Sequence, residues 1–261
     1  MGSPSWIETK AQLDDYFFQF PEDLLQFSKL EHAYQFEAMI WMHGFFIVLY
    51  STRDIVNLLK DPSYLQVERL CHILEHSLLL SEVLQPLLSI DTNVETLSPT
   101  TIYFICLSSV VQSLALRQFT SQSTFERLTP PPALLVAAQT HMEILKGLQN
   151  SSRQTSPLLR ESENLLTICL EIATGDMNDG FSFSCEKLYL HRWTHKGTGM
   201  TNMKEEEANQ EWNYAELPTS TLWNGATGQE TELAVAILQL CSPAQRLCSA
   251  GFFDLSIMIP M

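Results

Sequence analysis

Residues 64–88 read YLQVERLCHILEHSLLLSEVLQPLL and carry the clearest helical pattern in the chain. Apolar residues recur there at intervals of three and four, at Val67, Leu70, Cys71, Leu74 and Leu78. This spacing puts them on one side of an α-helix, so we predict a long helix that buries this stripe in a core. We expect the opposite face to be exposed to solvent; its polar residues are Glu68, Arg69, His72, Glu75, His76 and Glu82.

Helical periodicity also dominates the rest of the chain up to about residue 175. We predict further helices over residues 6–20, 31–50, 54–59, 98–119, 133–148 and 158–173. The Ser98-Pro99 pair predicts a helix start, because serine is a good N-cap and proline suits the first helical turn. No alternating strand pattern of useful length occurs. The predicted fold class is therefore all-α, an irregular multi-helix domain.

The composition changes after residue 174. Residues 201–261 contain eight acidic and two basic residues, and only residues 230–240 have a helical pattern. The sequence therefore predicts two parts: a helical domain over residues 1–200 and an acidic, mostly irregular tail over residues 201–261.

Net charge and hydropathy limit the classes of partner. The 261 residues include 15 Lys and Arg against 30 Asp and Glu, a formal net charge of −15, and no run of basic residues occurs. Phosphate contacts need clustered cations, so we expect no direct binding to nucleic acid.

The apolar segments 38–50 and 101–116 fall short of the roughly 20 apolar residues of a membrane span. We expect both to be buried helices and predict no membrane association.

The cysteines do not form a recognisable metal or redox motif. No C-x-x-C pair is present, which argues against a zinc ribbon and against a dithiol redox site. We expect free and mostly buried thiols at all six positions, which are Cys71, Cys106, Cys169, Cys185, Cys241 and Cys248.

One short segment has the spacing of a catalytic metal site. Residues 72–76, HILEH, match the H-x-x-E-H signature of inverted zincins. On a helix its two histidines share a face and could bind zinc, with the glutamate as base. No third ligand is identifiable, so the favoured interpretation is an ordinary helix face. We predict no enzyme, no catalytic residue, no cofactor and no metal, and keep a zinc-dependent hydrolase as the alternative.

Aromatic residues are concentrated in the first 50 positions. Packing in the core is favoured over a ligand pocket between helices. The residues are Phe17, Phe18, Phe20, Phe36, Trp41, Phe45 and Phe46.

Three stretches, in order, resemble a known family of gene regulators. Residues 6–24, from Trp6 to Phe-Pro-Glu-Asp-Leu, resemble the "W…L…W…LP..L" segment in the regulatory domain of fungal zinc binuclear cluster transcription factors. Residues 38–59, with AMIWMHGFFIVL and then DIVNLL, resemble the following helix and short "D…LL" piece of that domain. Residues 188–200, LYLHRWTHKGTGM, are similar to the "LYRWTGDGTGL" ending of the xylanolytic and arabinanolytic transcriptional activators.

The resemblance implies a function in transcription. It implies an all-helical regulatory domain in a nuclear protein that controls genes for plant-polysaccharide breakdown and pentose use. The expected partners are proteins, either the transcription machinery or a paralogue, together with a small sugar-derived inducer. The matching motif residues, to which no role is assigned, are Arg192, Trp193, Thr194, Gly197 and Gly199.

The sequence also departs from the family. The six-cysteine cluster C-x2-C-x6-C that binds two zinc ions and reads DNA is absent, as is the basic region. In the last motif His191 is inserted, and His195-Lys196 replaces Gly-Asp. Family members end at this motif, whereas this sequence continues to residue 261. We expect either the C-terminal piece of a longer regulator or a truncated paralogue that titrates a full-length one.

Overall fold

The computed structural model describes six stretches, residues 6–19, 32–51, 67–89, 97–120, 129–151 and 157–175, and positions 235, 237 and 239–241. The six helices are α1 (Trp6–Phe18), α2 (Ala33–Ser51), α3 (Val67–Ser89), α4 (Pro99–Thr120), α5 (Pro132–Ser151) and α6 (Pro157–Thr174). The described residues include no strand, so the predicted all-α class is confirmed.

The helix positions follow the sequence pattern closely. All six helices begin and end within three residues of the predicted bounds, and the predicted piece over residues 54–59 lies outside the described residues. Near the C-terminus, positions 235, 237, 239 and 240 are helical, in agreement with the helix predicted over residues 230–240. Ile237 and Cys241 are buried in the core cluster of the bundle. This part of the predicted irregular tail therefore contributes to the core.

The centre of the bundle is α4, which contacts α2, α3, α5 and α6. From residue 101 to residue 119 every side chain is buried except Ile102 and Arg117, and Arg117 is the only charged residue in the helix. By length and composition α4 is also the one described helix that could span a membrane. A helix that is apolar on all sides and covered by four neighbours is typical of a protein core. The buried helix predicted over residues 101–116 is thus observed.

The N-terminus of α4 is capped twice. Ser98 Oγ accepts a hydrogen bond from the Thr101 backbone N–H at 3.2 Å, so the predicted N-cap is confirmed. From α2, Glu37 Oε1 accepts hydrogen bonds from the Ser98 N–H at 2.6 Å and from the Thr101 hydroxyl at 2.9 Å. A carboxylate is favourable beside the partial positive charge of a helix N-terminus. Glu37 therefore joins α2 to α4 as well as capping it.

A glycine sets the distance between α2 and α4. Gly44 faces the ring of Phe104, which is fully buried, and a Cβ at position 44 would overlap that ring. The next residue, Phe45, meets the same ring edge-to-face with centroids 5.2 Å apart. Only a residue without a side chain allows the two helices to approach this closely.

The described cysteines have the burial and the reduced state that the sequence predicts. Cys106, Cys169 and Cys241 are buried, Cys71 is half-buried, and all four are free thiols. Burial raises the pKa of the Cys106 thiol to about 12, so this thiol stays protonated and unreactive at neutral pH. Cys185 and Cys248 lie outside the described residues.

We predict opposite effects for the same substitution at two helix glycines. Gly44→Ala should lower the free energy of unfolding by about 1–3 kcal/mol, because the new methyl group overpacks the α2–α4 contact. Gly147→Ala in α5 is the matched control: nothing lies within 4 Å of its Cβ position, so the better helix former should raise stability by about 0.5–1 kcal/mol. Urea unfolding followed by circular dichroism measures both. Equal shifts in the two variants would contradict the close approach at Gly44.

Candidate functional site

The polar face predicted on α3 is only partly exposed to solvent, so the prediction of a solvated face was wrong at its two histidines. His72 and Glu75 expose 26% and 25% of their side chains. The His72 ring stacks on Tyr50 of α2 with centroids 4.8 Å apart, and the His76 ring stacks on Phe46 at 4.4 Å. Two histidines four residues apart on α3 thus meet two aromatic residues four apart on α2. α2 therefore covers the histidine part of the face that sequence reasoning assigned to solvent.

A direct imidazole pair lies at the centre of this contact. His43 Nδ1 of α2 is 3.1 Å from His76 Nδ1 of α3. A hydrogen bond between two ring nitrogens needs one ring as donor and the other as acceptor, so the accepting ring is neutral. We call His43, His72 and His76 the histidine cluster.

Burial lowers the pKa values of two members of the histidine cluster, His43 and His76. Burial lowers the pKa of His43 to about 4. For His76, burial lowers the pKa well below its ordinary value, and the neighbouring Lys10 acts in the same direction. Lys10 belongs to α1, where its Nζ forms an ion pair with Asp14 at 2.7 Å. The lowered pKa values of His43 and His76 keep both rings neutral at neutral pH.

The two histidines of the HILEH segment take part in separate contacts. His72 Nδ1 is 3.5 Å from Glu75 Oε2, whereas His76 Nδ1 is directed at His43. A catalytic zinc site needs about three protein ligands. Within the described ranges, no three His, Cys, Asp or Glu side chains are placed to hold a metal ion. The histidine cluster has the contacts of a helix–helix interface, and the zinc alternative gains no support from it.

A second polar cluster lies deeper, where α3, α4 and α5 meet. Ser77 Oγ is 2.7 Å from Ser108 Oγ. Gln112 Nε2 donates to Ser81 Oγ at 2.8 Å and lies 3.1 Å from His141 Nδ1. All five side chains are buried, and we call them the core polar cluster. Sequence reasoning missed it because it treated the polar residues of segment 101–116 only as interruptions of an apolar run.

The core polar cluster has unused hydrogen-bonding capacity. Gln112 Oε1 and His141 Nε2 have no hydrogen-bond partner in the described part of the chain. His141 Nδ1 also lies 3.0 Å from Ser81 Oγ and 3.2 Å from the Ala137 carbonyl oxygen. Burial lowers the pKa of His141 to about 4, so its ring is neutral as well.

The aromatic residues predicted for the core divide into two groups. Phe36 and Phe46 are buried as predicted, and Phe17 packs edge-to-face on Phe46 with centroids 6.3 Å apart. Trp41 and Phe45 are exposed, so their assignment to the core was wrong. The side chains at positions 18 and 20 lie outside the described residues.

The family motif over residues 188–200 lies outside the described residues, together with the RWT and glycine positions named for it. Comparison with known proteins found no matching family model, no matching curated protein and no matching solved structure.

We predict that acid weakens the fold through its buried histidines. An unfolded imidazole titrates near pH 6.5 and His141 in the fold near pH 4, so the unfolded chain binds more protons between these values. The stability linked to this group is complete above about pH 6.5 and is lost as the pH falls toward 4. His141→Gln should reduce the slope of unfolding free energy against pH in this window by up to about 1.4 kcal/mol per pH unit. Urea titrations at several pH values test this, and identical slopes for wild type and variant would contradict it.

We also predict that the core polar cluster behaves as one unit. Gln112→Leu and His141→Leu should each cost about 2–4 kcal/mol, because each strands a buried partner. The double variant should cost less than the sum by about 1–2 kcal/mol, since no stranded partner remains. Gln139→Leu is the control: Gln139 donates to Glu143 on the exposed face of α5, so it should cost about 0.5 kcal/mol or less. Additive losses in a double-mutant cycle would refute the coupling.

Proposed function

We propose that this chain is a regulatory domain of a fungal transcription factor, similar to activators of xylan- and arabinan-degrading and pentose-use genes. In this proposal it works in the nucleus through contacts with other proteins, the transcription machinery or a paralogue, and does not bind DNA itself. A small sugar-derived inducer belongs to the same proposal.

The observation that carries the proposal is the helical bundle that precedes the motif. The resemblance at residues 188–200 requires an all-helical regulatory domain before it. Six helices and no strand among the described residues between 6 and 175 meet that requirement. A mixed or all-β fold would have excluded the family.

The charge distribution supports protein contacts over DNA contacts. The chain has a net charge of −15. Two of its described cations lie close to carboxylates: Lys10 Nζ is 2.7 Å from Asp14, and Arg160 Nη2 is 3.3 Å from Glu161. Cations paired in this way are poorly available to phosphates, and binding to DNA depends on such cations.

The polar groups of the bundle favour recognition over catalysis. A general base works best with a pKa near the operating pH and within reach of a substrate. His43 and His141 have pKa values lowered to about 4, and both are buried. The zinc-dependent hydrolase at residues 72–76 remains the alternative, and metal analysis of the purified chain separates the two. A stoichiometric zinc ion that His76→Ala removes would favour the hydrolase.

We predict that the chain changes transcription when it is tethered to a promoter. Residues 1–261, fused to an unrelated DNA-binding domain in a fungal host, should change reporter expression several-fold relative to that domain alone. Changing Arg192 and Trp193 together to Ala should reduce this effect if the family motif contributes. Gly147→Ala, which leaves packing unchanged, is the control variant. Reporter levels equal to those of the DNA-binding domain alone, at equal protein levels, would reject the proposal.

A further inference from the structure

The described positions near the C-terminus form a short helix with an inner and an outer side. Positions 235, 237, 239 and 240 are helical, and the Cys241 backbone N–H donates a hydrogen bond to the Ile237 carbonyl oxygen at 3.0 Å. Ile237 and Cys241 are 1% and 6% exposed, whereas Val235 is 43% exposed. Leu240 is partly buried against the core, and Gln239 is exposed. We call positions 235, 237 and 239–241 the C-terminal segment.

The C-terminal segment adds little to a core that other helices build. Every other described member of the buried core cluster lies between residues 36 and 170, on α2 to α6 or, for Leu97, directly before α4. Of the described positions in the C-terminal segment, Ile237 and Cys241 alone are buried. Elements with few buried apolar side chains open at a lower free energy than the core of a protein. The bundle can therefore stay folded when the C-terminal segment leaves it.

The C-terminal segment depends on the bundle for its helical structure. The helical pattern over residues 230–240 is shorter than the roughly 12–15 residues that an isolated helix needs in water. Contact with the bundle therefore stabilises the helix, and the contact and the helix are lost together. Sixty positions separate residues 175 and 235 along the chain. The covalent connection keeps a released segment near the bundle, at an effective concentration that favours rebinding.

The place that the C-terminal segment occupies is an apolar site suited to one side of a helix. Ile237 and Cys241 lie four residues apart, so both project from the same side of the helix into the core. Leu240 continues that side at a spacing of three residues. Helices that bind in grooves are recognised through apolar side chains at spacings of three and four. The site therefore accepts an amphipathic helix in which an aliphatic residue is followed by apolar residues three and four positions later.

We propose that the C-terminal segment is a reversible lid over this helix-binding site. In the closed state the chain's own segment fills the site, with Ile237 and Cys241 buried. In the open state α2 to α6 stay folded, and the site takes an amphipathic helix of the same spacing from a partner protein. Binding then depends on the fraction of open chains, because a partner must displace the segment first. The inference does not depend on the proposed role in transcription.

Two buried thiols allow the opening to be measured in the unmodified full chain. Cys241 lies in the C-terminal segment, and Cys106 lies in α4 at the centre of the bundle. The chain is treated with N-ethylmaleimide in native buffer, at reagent concentrations to which the rates are proportional, and mass spectrometry of the digested chain follows each cysteine. Cys241 should react at least about 100-fold faster than Cys106 and depend less on urea, because local opening exposes less surface than unfolding. Equal rates with equal urea dependence would overturn the inference.

Three substitutions show whether the lid opens separately from the bundle. Ile237→Ala removes a buried anchor and should raise the labelling rate of Cys241 at least about 10-fold. Val235→Ala, on the exposed side of the same segment, is the matched control and should change that rate by less than about 3-fold. Gly44→Ala destabilises the bundle, so it should raise the Cys106 rate at least about 5-fold while the Cys241 rate stays within about 2-fold of wild type. A parallel rise at both cysteines in Gly44→Ala would mean that the segment opens only when the bundle unfolds, and would overturn the lid.

A synthetic peptide tests whether the site beneath the lid takes a helix from another molecule. The probe is residues 230–245 with Cys241→Ala, added to the full chain at up to about 1 mM, the range of effective concentration for a tethered segment. It should bind the open site and raise the Cys241 labelling rate several-fold, increasingly with peptide concentration, because it stabilises the open state by mass action. The same peptide with Ile237→Asp is the control and should have no effect. Equal rates with the two peptides would overturn the helix-binding site.

Discussion

The burial of α4 on four sides is the constraint on which the rest of the bundle depends. A helix in this position cannot carry charge along its length, and its polar residues must be hydrogen-bonded, either within α4, as Ser109 and Ser113 are, or to the surrounding helices. Thr101 bonds with Glu37 of α2, Ser108 with Ser77 of α3, and Gln112 bridges α3 and α5. These contacts recur along α4 and fix which helix lies against which part of it.

The way α2 meets α4 explains why α2 is apolar on all sides. Its inner face approaches α4 through Gly44, and a second face receives the imidazole rings of α3 against Phe46 and Tyr50. Its one carboxylate, Glu37, is turned to the cap of α4. What remains is an outer face with no charged group and four exposed apolar side chains. An exposed apolar surface of this kind lowers the solubility of the protein unless another apolar surface covers it.

Local patterns were enough to predict the fold class and the helix ends. The spacing of Leu70, Leu74 and Leu78, and the Ser98-Pro99 start, act within one helix and can be read from neighbouring residues. The polar contacts could not be predicted, because they join residues about 30 or more positions apart, such as His43 with His76. The same limit explains the errors at the histidines and at Trp41. A face looks polar or apolar from the sequence, but packing decides which helix covers it.

The neutral histidines connect this packing to the kind of function the chain can perform. Three imidazoles, the buried His43 and His141 and the half-buried His76, have pKa values lowered by desolvation and serve contacts between helices. Groups fixed in this way contribute to the choice of one helix arrangement. The outer face of α2 has the opposite properties, since it is exposed and carries no charged group. This division between buried polar groups and an exposed apolar face supports the proposed role in binding other proteins.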